Sequence, residues 1–120
     1  MKKIFYSFIA IILMITACGK DKYETADILI FTQQGCSHCE NAVEFINNRI
    51  LPKNPELKFV EVDITYDSKN IQILKKFLTK YNFKGNEIGT PIIIFNNQLL
   101  MGWNIKNKVK LQKTFEFDKD

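Results

Sequence analysis

The stretch Gln33-Gln34-Gly35-Cys36-Ser37-His38-Cys39-Glu40-Asn41 places two cysteines two residues apart, directly after the apolar run Ile28-Leu29-Ile30-Phe31. A short apolar run of this kind reads as a buried strand. From Cys36 to Ile50 the period changes. Ala42, Val43, Phe45, Ile46 and Ile50 return at three- and four-residue steps, with Glu40, Glu44, Asn47 and Asn48 between them, which predicts a helix. Gly35 therefore stands where strand becomes helix, and Cys36 opens the helix.

Three chemistries compete for such a pair. A structural zinc site usually takes four Cys or His ligands. The chain has three cysteines, one histidine and no second pair at this spacing, so a metal or iron–sulfur centre would have to be shared between two chains. Inert burial is common for free cysteines. It suits Cys39, one turn into the helix, better than Cys36, whose sulfur faces the helix N-terminus. The partial positive charge and free N–H groups there favour a thiolate. Residues i and i+3 of a first turn also carry both sulfurs on one side, within reach of a Cys36–Cys39 disulfide. In a redox reading the accessible Cys36 is the nucleophile and Cys39 resolves the mixed disulfide. His38, when protonated, favours the Cys36 thiolate, which tilts the couple toward oxidation.

Outward from this centre, Pro52 and Pro55 end the first helix, and Leu57 to Asp63 alternates as a second strand. Asp67 or Ser68 caps a second helix with Ile71, Leu74, Phe77, Leu78 and Tyr81 on one face. Pro91 to Phe95 is a third strand, Asn96-Asn97 a two-residue hairpin turn and Gln98 to Met101 a fourth strand. Gly102 breaks that strand, and Asn104 caps a last helix through Phe115. The order is β-α-β-α-β-β-α. The first crossover implies parallel pairing, and the tight turn implies antiparallel pairing.

The N-terminus reads as an address. Met1-Lys2-Lys3 precedes the uncharged run Ile4 to Ile15, which is shorter than the roughly 20 apolar residues of a membrane span. It has the form of a secretory signal. Ile15-Thr16-Ala17-Cys18-Gly19 resembles the lipobox of bacterial lipoproteins, in which the cysteine is acylated and becomes the new N-terminus. That resemblance implies a signal peptide over 1–17, a lipidated Cys18, a polar tether over 18–26 and a domain over 27–120. Acyl chains hold a protein to a bilayer, and acylation removes Cys18 from thiol chemistry.

Composition is that of one ordinary globular domain: 46% hydrophobic and 25% charged over 120 residues. Loss of Lys2 and Lys3 leaves 15 basic against 13 acidic side chains. The remaining lysines are scattered, with no concentrated basic face bearing base-reading groups, so no nucleic-acid partner is expected.

Together, the strand Ile28–Phe31, the motif Gly35-Cys36-Ser37-His38-Cys39 opening a helix, and Gly89-Thr90-Pro91 before Ile92–Phe95 resemble the thioredoxin/glutaredoxin superfamily, over most of 27–115. The resemblance implies an α/β, thioredoxin-like three-layer α/β/α sandwich with a four-stranded mixed sheet. It implies a cis Pro91 facing the disulfide, and substrate contacts from Ser37, Thr90 and Pro91, with the backbone of Thr90 pairing with the substrate chain. Departures are visible. Gly35 replaces the tryptophan common before the first cysteine, and Ile30 replaces the buried acid of the first strand, leaving Glu61 as a candidate for proton transfer. The short body is nearer to glutaredoxin, without an inserted helical domain.

The expectation is an extracytoplasmic, lipid-anchored thiol–disulfide oxidoreductase of the cell envelope. It would be a monomer needing no cofactor or metal beyond its dithiol. It would act on exported proteins carrying thiols or disulfides and be reset by a membrane redox partner. The alternative is a thioredoxin-like binding module, a metal carrier or scaffold without turnover.

Overall fold

The apolar run after Asp27 forms the first of four strands. The computed structural model describes residues 21–116, position 86 excepted. In chain order the elements are β1 (Ile28–Thr32), α1 (Ser37–Phe45) running into a π-helical turn (Ile46–Ile50), β2 (Phe59–Asp63), α2 (Ser68–Lys80), β3 (Ile92–Phe95), β4 (Gln98–Met101) and α3 (Ile105–Glu116). The strands form one sheet in the order β2-β1-β3-β4. β1 pairs parallel with β2, with Ile30 opposite Glu61, and antiparallel with β3, with Ile30 opposite Ile93. β3 and β4 are antiparallel, Ile93 facing Leu100. This is the three-layer thioredoxin-like architecture.

Side-chain alternation builds the layers, because successive strand residues point to opposite faces. Ile28, Ile30, Ile93 and Phe95 meet Ala42, Ile46 and Ile50 of the first helix and Leu111 of α3 on one face. Leu29, Phe31, Ile92 and Ile94 meet Leu74, Phe77 and Leu78 of α2 on the other. β1 is buried along its whole length, as expected of a strand covered on both faces. Asp67 caps α2 by accepting from the N–H groups of Lys69 and Asn70. Asn104 Oδ1 accepts from the Asn107 N–H at 2.8 Å at the start of α3. Asn96 and Asn97 both take positive φ, +47° and +58°, the geometry a tight hairpin turn requires.

β2 begins at Phe59 rather than Leu57, and two other boundaries differ from expectation for a clear physical reason. The regular α-helix stops at Phe45, and the Leu51 N–H reaches back five residues to the Ile46 carbonyl at 3.0 Å. Pro52 beyond it has no N–H to continue the ladder. The buried Asn54 side chain caps this end, donating Nδ2–H to the Ile50 carbonyl at 2.9 Å. β3 begins at Ile92 rather than Pro91, since proline has no N–H to give to a strand ladder.

The signal segment, Cys18 and the first part of the expected tether lie outside the described residues. The described remainder of the tether is fastened to the domain. Asp21 accepts from the Tyr23 and Glu24 N–H groups, Glu24 pairs with Lys76 at 3.0 Å, and Tyr23 and Ala26 pack against the α2 side of the core. Among the described residues no helix is long and apolar enough to cross a membrane.

Candidate redox-active site

The site is assembled at one end of the sheet, where β1 stops and α1 begins. Gly35 turns the chain with φ +75°, a left-handed conformation that costs glycine little. Cys36 then stands at the N-cap of α1 in extended conformation, and its Sγ accepts from the Cys39 N–H at 3.2 Å. The sulfur thus occupies the place a capping oxygen would take. Cys36 and Cys39 form a disulfide, their Cα atoms 5.2 Å apart. Cys36 is half-buried, whereas Cys39 is only 2% exposed. The asymmetry leaves one sulfur reachable and screens the other.

Opposite the disulfide stands the segment before β3. The Thr90–Pro91 peptide is cis, as the resemblance implies. Pro91 is buried, and its carbonyl accepts from the Gly102 N–H at 2.8 Å, tying the segment to the end of β4. The Thr90 hydroxyl lies 3.4 Å from Cys36 Sγ and 3.2 Å from Gln33 Oε1, and the Thr90 carbonyl oxygen lies 3.7 Å from the same sulfur. Two donors, the Cys39 N–H and the Thr90 hydroxyl, face the Cys36 sulfur, and hydrogen-bond donors favour a thiolate once the disulfide is reduced. The more distant carbonyl favours the thiol. Gln33 competes for the single hydroxyl proton.

This arrangement sets two opposed expectations. Thr90→Val removes a donor to the thiolate and should slow Cys36 alkylation at neutral pH about tenfold, the worth of one hydrogen bond to a charged group. Gln33→Ala removes the competing acceptor and should quicken it. Alkylation rates across a pH series check both, and no change in either variant would detach Thr90 from the sulfur.

A second chain of hydrogen bonds positions the loop before Cys36. The Gln34 N–H donates to Thr65 Oγ1 at 2.8 Å, and the Thr65 hydroxyl and N–H both donate to Asp63 Oδ1. The hydroxyl and backbone bonds from Thr65 hold the Asp63 carboxyl below its ordinary pKa of 3.8. A depressed carboxylate contributes its support above its ordinary range and loses it as the pH falls through the lowered value. Asp63 is therefore ionised at neutral pH, and the support its charge lends these bonds fades only in acid, below the ordinary carboxylate range.

The remaining expected residues are dispersed around this centre. Ser37 and His38 are exposed on the first turn of α1, and the His38 side chain makes no hydrogen bond or ion pair with the described residues. Glu61 is exposed on β2 and lines a hollow of about 390 Å³ together with Cys39, Gln33, Glu40 and Asp63. Ile30, in place of an acid, is fully buried beneath the site. Gln33, Thr65 and Asp63 were not anticipated. Asp63-x-Thr65 has the spacing of a local side-chain turn, but its link to Gln34 spans 31 positions and leaves no local trace. Among the described residues no group of three or more His, Cys, Asp or Glu side chains is placed to hold a metal ion.

No family model matches the chain, and no curated protein matches it. Among solved structures it is similar to a glutaredoxin from Archaeoglobus fulgidus, at 17% identity and a TM-score of 0.53, over 79% of this chain and 95% of that one. At that identity the likeness concerns the fold, which is thioredoxin-like.

Proposed function

We propose that this thioredoxin-like domain is a thiol–disulfide oxidoreductase, held to a membrane through Cys18 on the extracytoplasmic side and acting on exported proteins. The observation that carries the chemistry is the disulfide at a helix N-terminus, one sulfur reachable and donor-lined, the other buried beneath it. The membrane and export parts rest on the N-terminal sequence alone.

In the reducing direction the Cys36 thiolate attacks a substrate disulfide. One substrate sulfur leaves as a thiolate and a mixed disulfide with Cys36 forms. Cys39 then loses its proton and attacks Cys36 Sγ, releasing the second substrate thiol and closing the Cys36–Cys39 bond. Glu61, across the hollow that Cys39 borders, is the group assigned to accept the Cys39 proton. In the oxidising direction a substrate thiolate attacks Cys36 Sγ and expels Cys39, and a second substrate thiolate completes the transfer. Two electrons pass in each case, and a membrane partner returns the pair to its starting state. Ser37, Thr90 and Pro91 form the surface against which substrate docks.

The test is the equilibrium reduction potential against a glutathione buffer together with turnover on a disulfide substrate. Oxidising couples stand at about −120 mV and reducing ones at about −270 mV. His38→Ala should lower the potential, because the thiolate loses a nearby cation when His38 is protonated. An unchanged or higher value removes His38 from the mechanism. A pair that never cycles between dithiol and disulfide overturns the proposal itself.

A further inference from the structure

From Asp21 onward the chain is bound to the domain. Asp21 Oδ1 accepts from the Tyr23 and Glu24 N–H groups, Tyr23 packs against the α2 side of the core, and Asp27 Oδ2 accepts from the Lys58 N–H at 2.8 Å. In the sequence only Gly19 and Lys20 separate Asp21 from Cys18. Consecutive Cα atoms are about 3.8 Å apart, so an acylated Cys18 holds Asp21 within about 11 Å of itself. The headgroup layer of a bilayer is itself about 5–8 Å deep on each side. The face around Asp21 is therefore kept at the headgroups. A link of this length limits distance but leaves tilt free, and tilt is decided by what the face offers.

That face holds a hollow of about 180 Å³, at the end of the sheet opposite the disulfide. The entering chain lines it with Tyr23 and Asp27, the end of α2 with Lys80 and Tyr81, and the β3–β4 turn with Asn96 and Asn97. Strand register brings them together, because Ile28, next to Asp27, stands opposite Phe95, next to Asn96. Lys80 Nζ lies 5.8 Å from the centres of both the Phe77 and Tyr81 rings, and Lys22 Nζ lies 5.2 Å from that of Tyr23. Tyrosine rings settle at the level of headgroups, and lysine lays its stem on apolar surface while its charge stays in water. Among the described residues the side chains of Lys22, Lys80, Asn96 and Asn97 have no hydrogen-bond or ion-pair partner, so they are free to donate to phosphate oxygens. Asp27, in the same wall, is the counterpart for an ammonium. The hollow is smaller than the roughly 300–1,000 Å³ of a pocket for a drug-sized molecule, which suits a small polar group of both charges.

We infer that this face rests on zwitterionic phospholipid headgroups, one of which enters the hollow with its phosphate toward Lys80 and its ammonium toward Asp27. The distance argument rests on the anchor proposed at Cys18, but the contact is measurable without it.

The test uses the full chain in lipid discs of phosphatidylcholine and phosphatidylethanolamine, with a trace of lipid bearing a gadolinium chelate on its headgroup. Paramagnetic broadening of backbone amide signals then reports nearness to the surface. The amides of Lys80, Tyr81, Asn96 and Asn97 should broaden severalfold more than those of Gly35, Ser37 and Thr90. Lys22→Glu combined with Lys80→Glu changes two exposed side chains. It should bring the two sets to equal broadening, since phosphate repels the new carboxylates and the short link alone leaves tilt free. Thermal unfolding and exchange with hydroxyethyl disulfide should stay unchanged in that variant, which separates a lost contact from a lost fold. Equal broadening in the unaltered chain, or a preference that survives the double change, overturns the inference. So does a concentration-dependent dimer in lipid-free solution that the double change abolishes, which would give the face to a second copy. Mass spectrometry of the isolated protein reads acylation of Cys18 separately. If Cys18 is bare, the anchor reading fails, and the contact is decided by the same chain added to the same discs. Selective broadening of the four amides then upholds it, and none overturns it.

Discussion

Cys36→Ser should abolish thiol–disulfide exchange, by roughly 10³-fold or more, while leaving the thermal unfolding of the reduced protein nearly unchanged. Serine keeps the N-cap geometry, since its oxygen can also accept the Cys39 N–H. What disappears is an ionisable sulfur at neutral pH. Cys39→Ser predicts the complementary result. The first attack proceeds, the resolving sulfur is gone, and a mixed disulfide between Cys36 and substrate accumulates. Only 2% of Cys39 is exposed, so free substrate thiols must release the trapped chain from outside. Mass spectrometry of acid-quenched reactions distinguishes the variants. A Cys36→Ser protein that still turns over, or a Cys39→Ser protein that traps nothing, would remove the division of labour between the two sulfurs.

The largest effect on stability is expected at Phe31. It is fully buried on the central strand β1, and its ring lies 6.1 Å from that of Phe77 on α2. Phe31→Ala leaves a void between sheet and helix that neighbours fill only in part, so the loss should be about 3–5 kcal/mol. Domains of this kind are held by about 5–15 kcal/mol in total, so this variant sits near the edge of folding. Denaturant midpoints measure it, with Phe31→Leu as the milder comparison. A cost below that of Phe31→Leu would mean that the α2 face of the core is not packed as described.

Much of this was legible because local patterns carried it. Ile28 to Phe31 read as a covered strand by its length, Asp67 or Ser68 and Asn104 announced their helices, and Asn96-Asn97 announced the hairpin. Cys36, Cys39 and Pro91 were legible as types in an order, and the structure brings Thr90, the residue before Pro91, against the Cys36 sulfur. The π-helical turn at Ile46–Ile50 was not legible, because its apolar spacing is the same as that of an α-helix. Gln33 and the Gln34–Thr65–Asp63 clasp escaped for another reason. Their partners lie 57 and 31 positions away, and a hydrogen bond between ordinary polar residues prints no period on the chain.

The fastening of residues 21–27 has a further consequence. The Asp21 turn, the Glu24–Lys76 pair and the Asp27 contacts with Lys58 fix the entering chain at the foot of β1. The disulfide sits at its head, about 17 Å away along five extended residues. With the lipid anchor proposed at Cys18, a domain moored by its leading end would carry its reactive tip like a lamp on a post, turned away from the bilayer toward clients in solution.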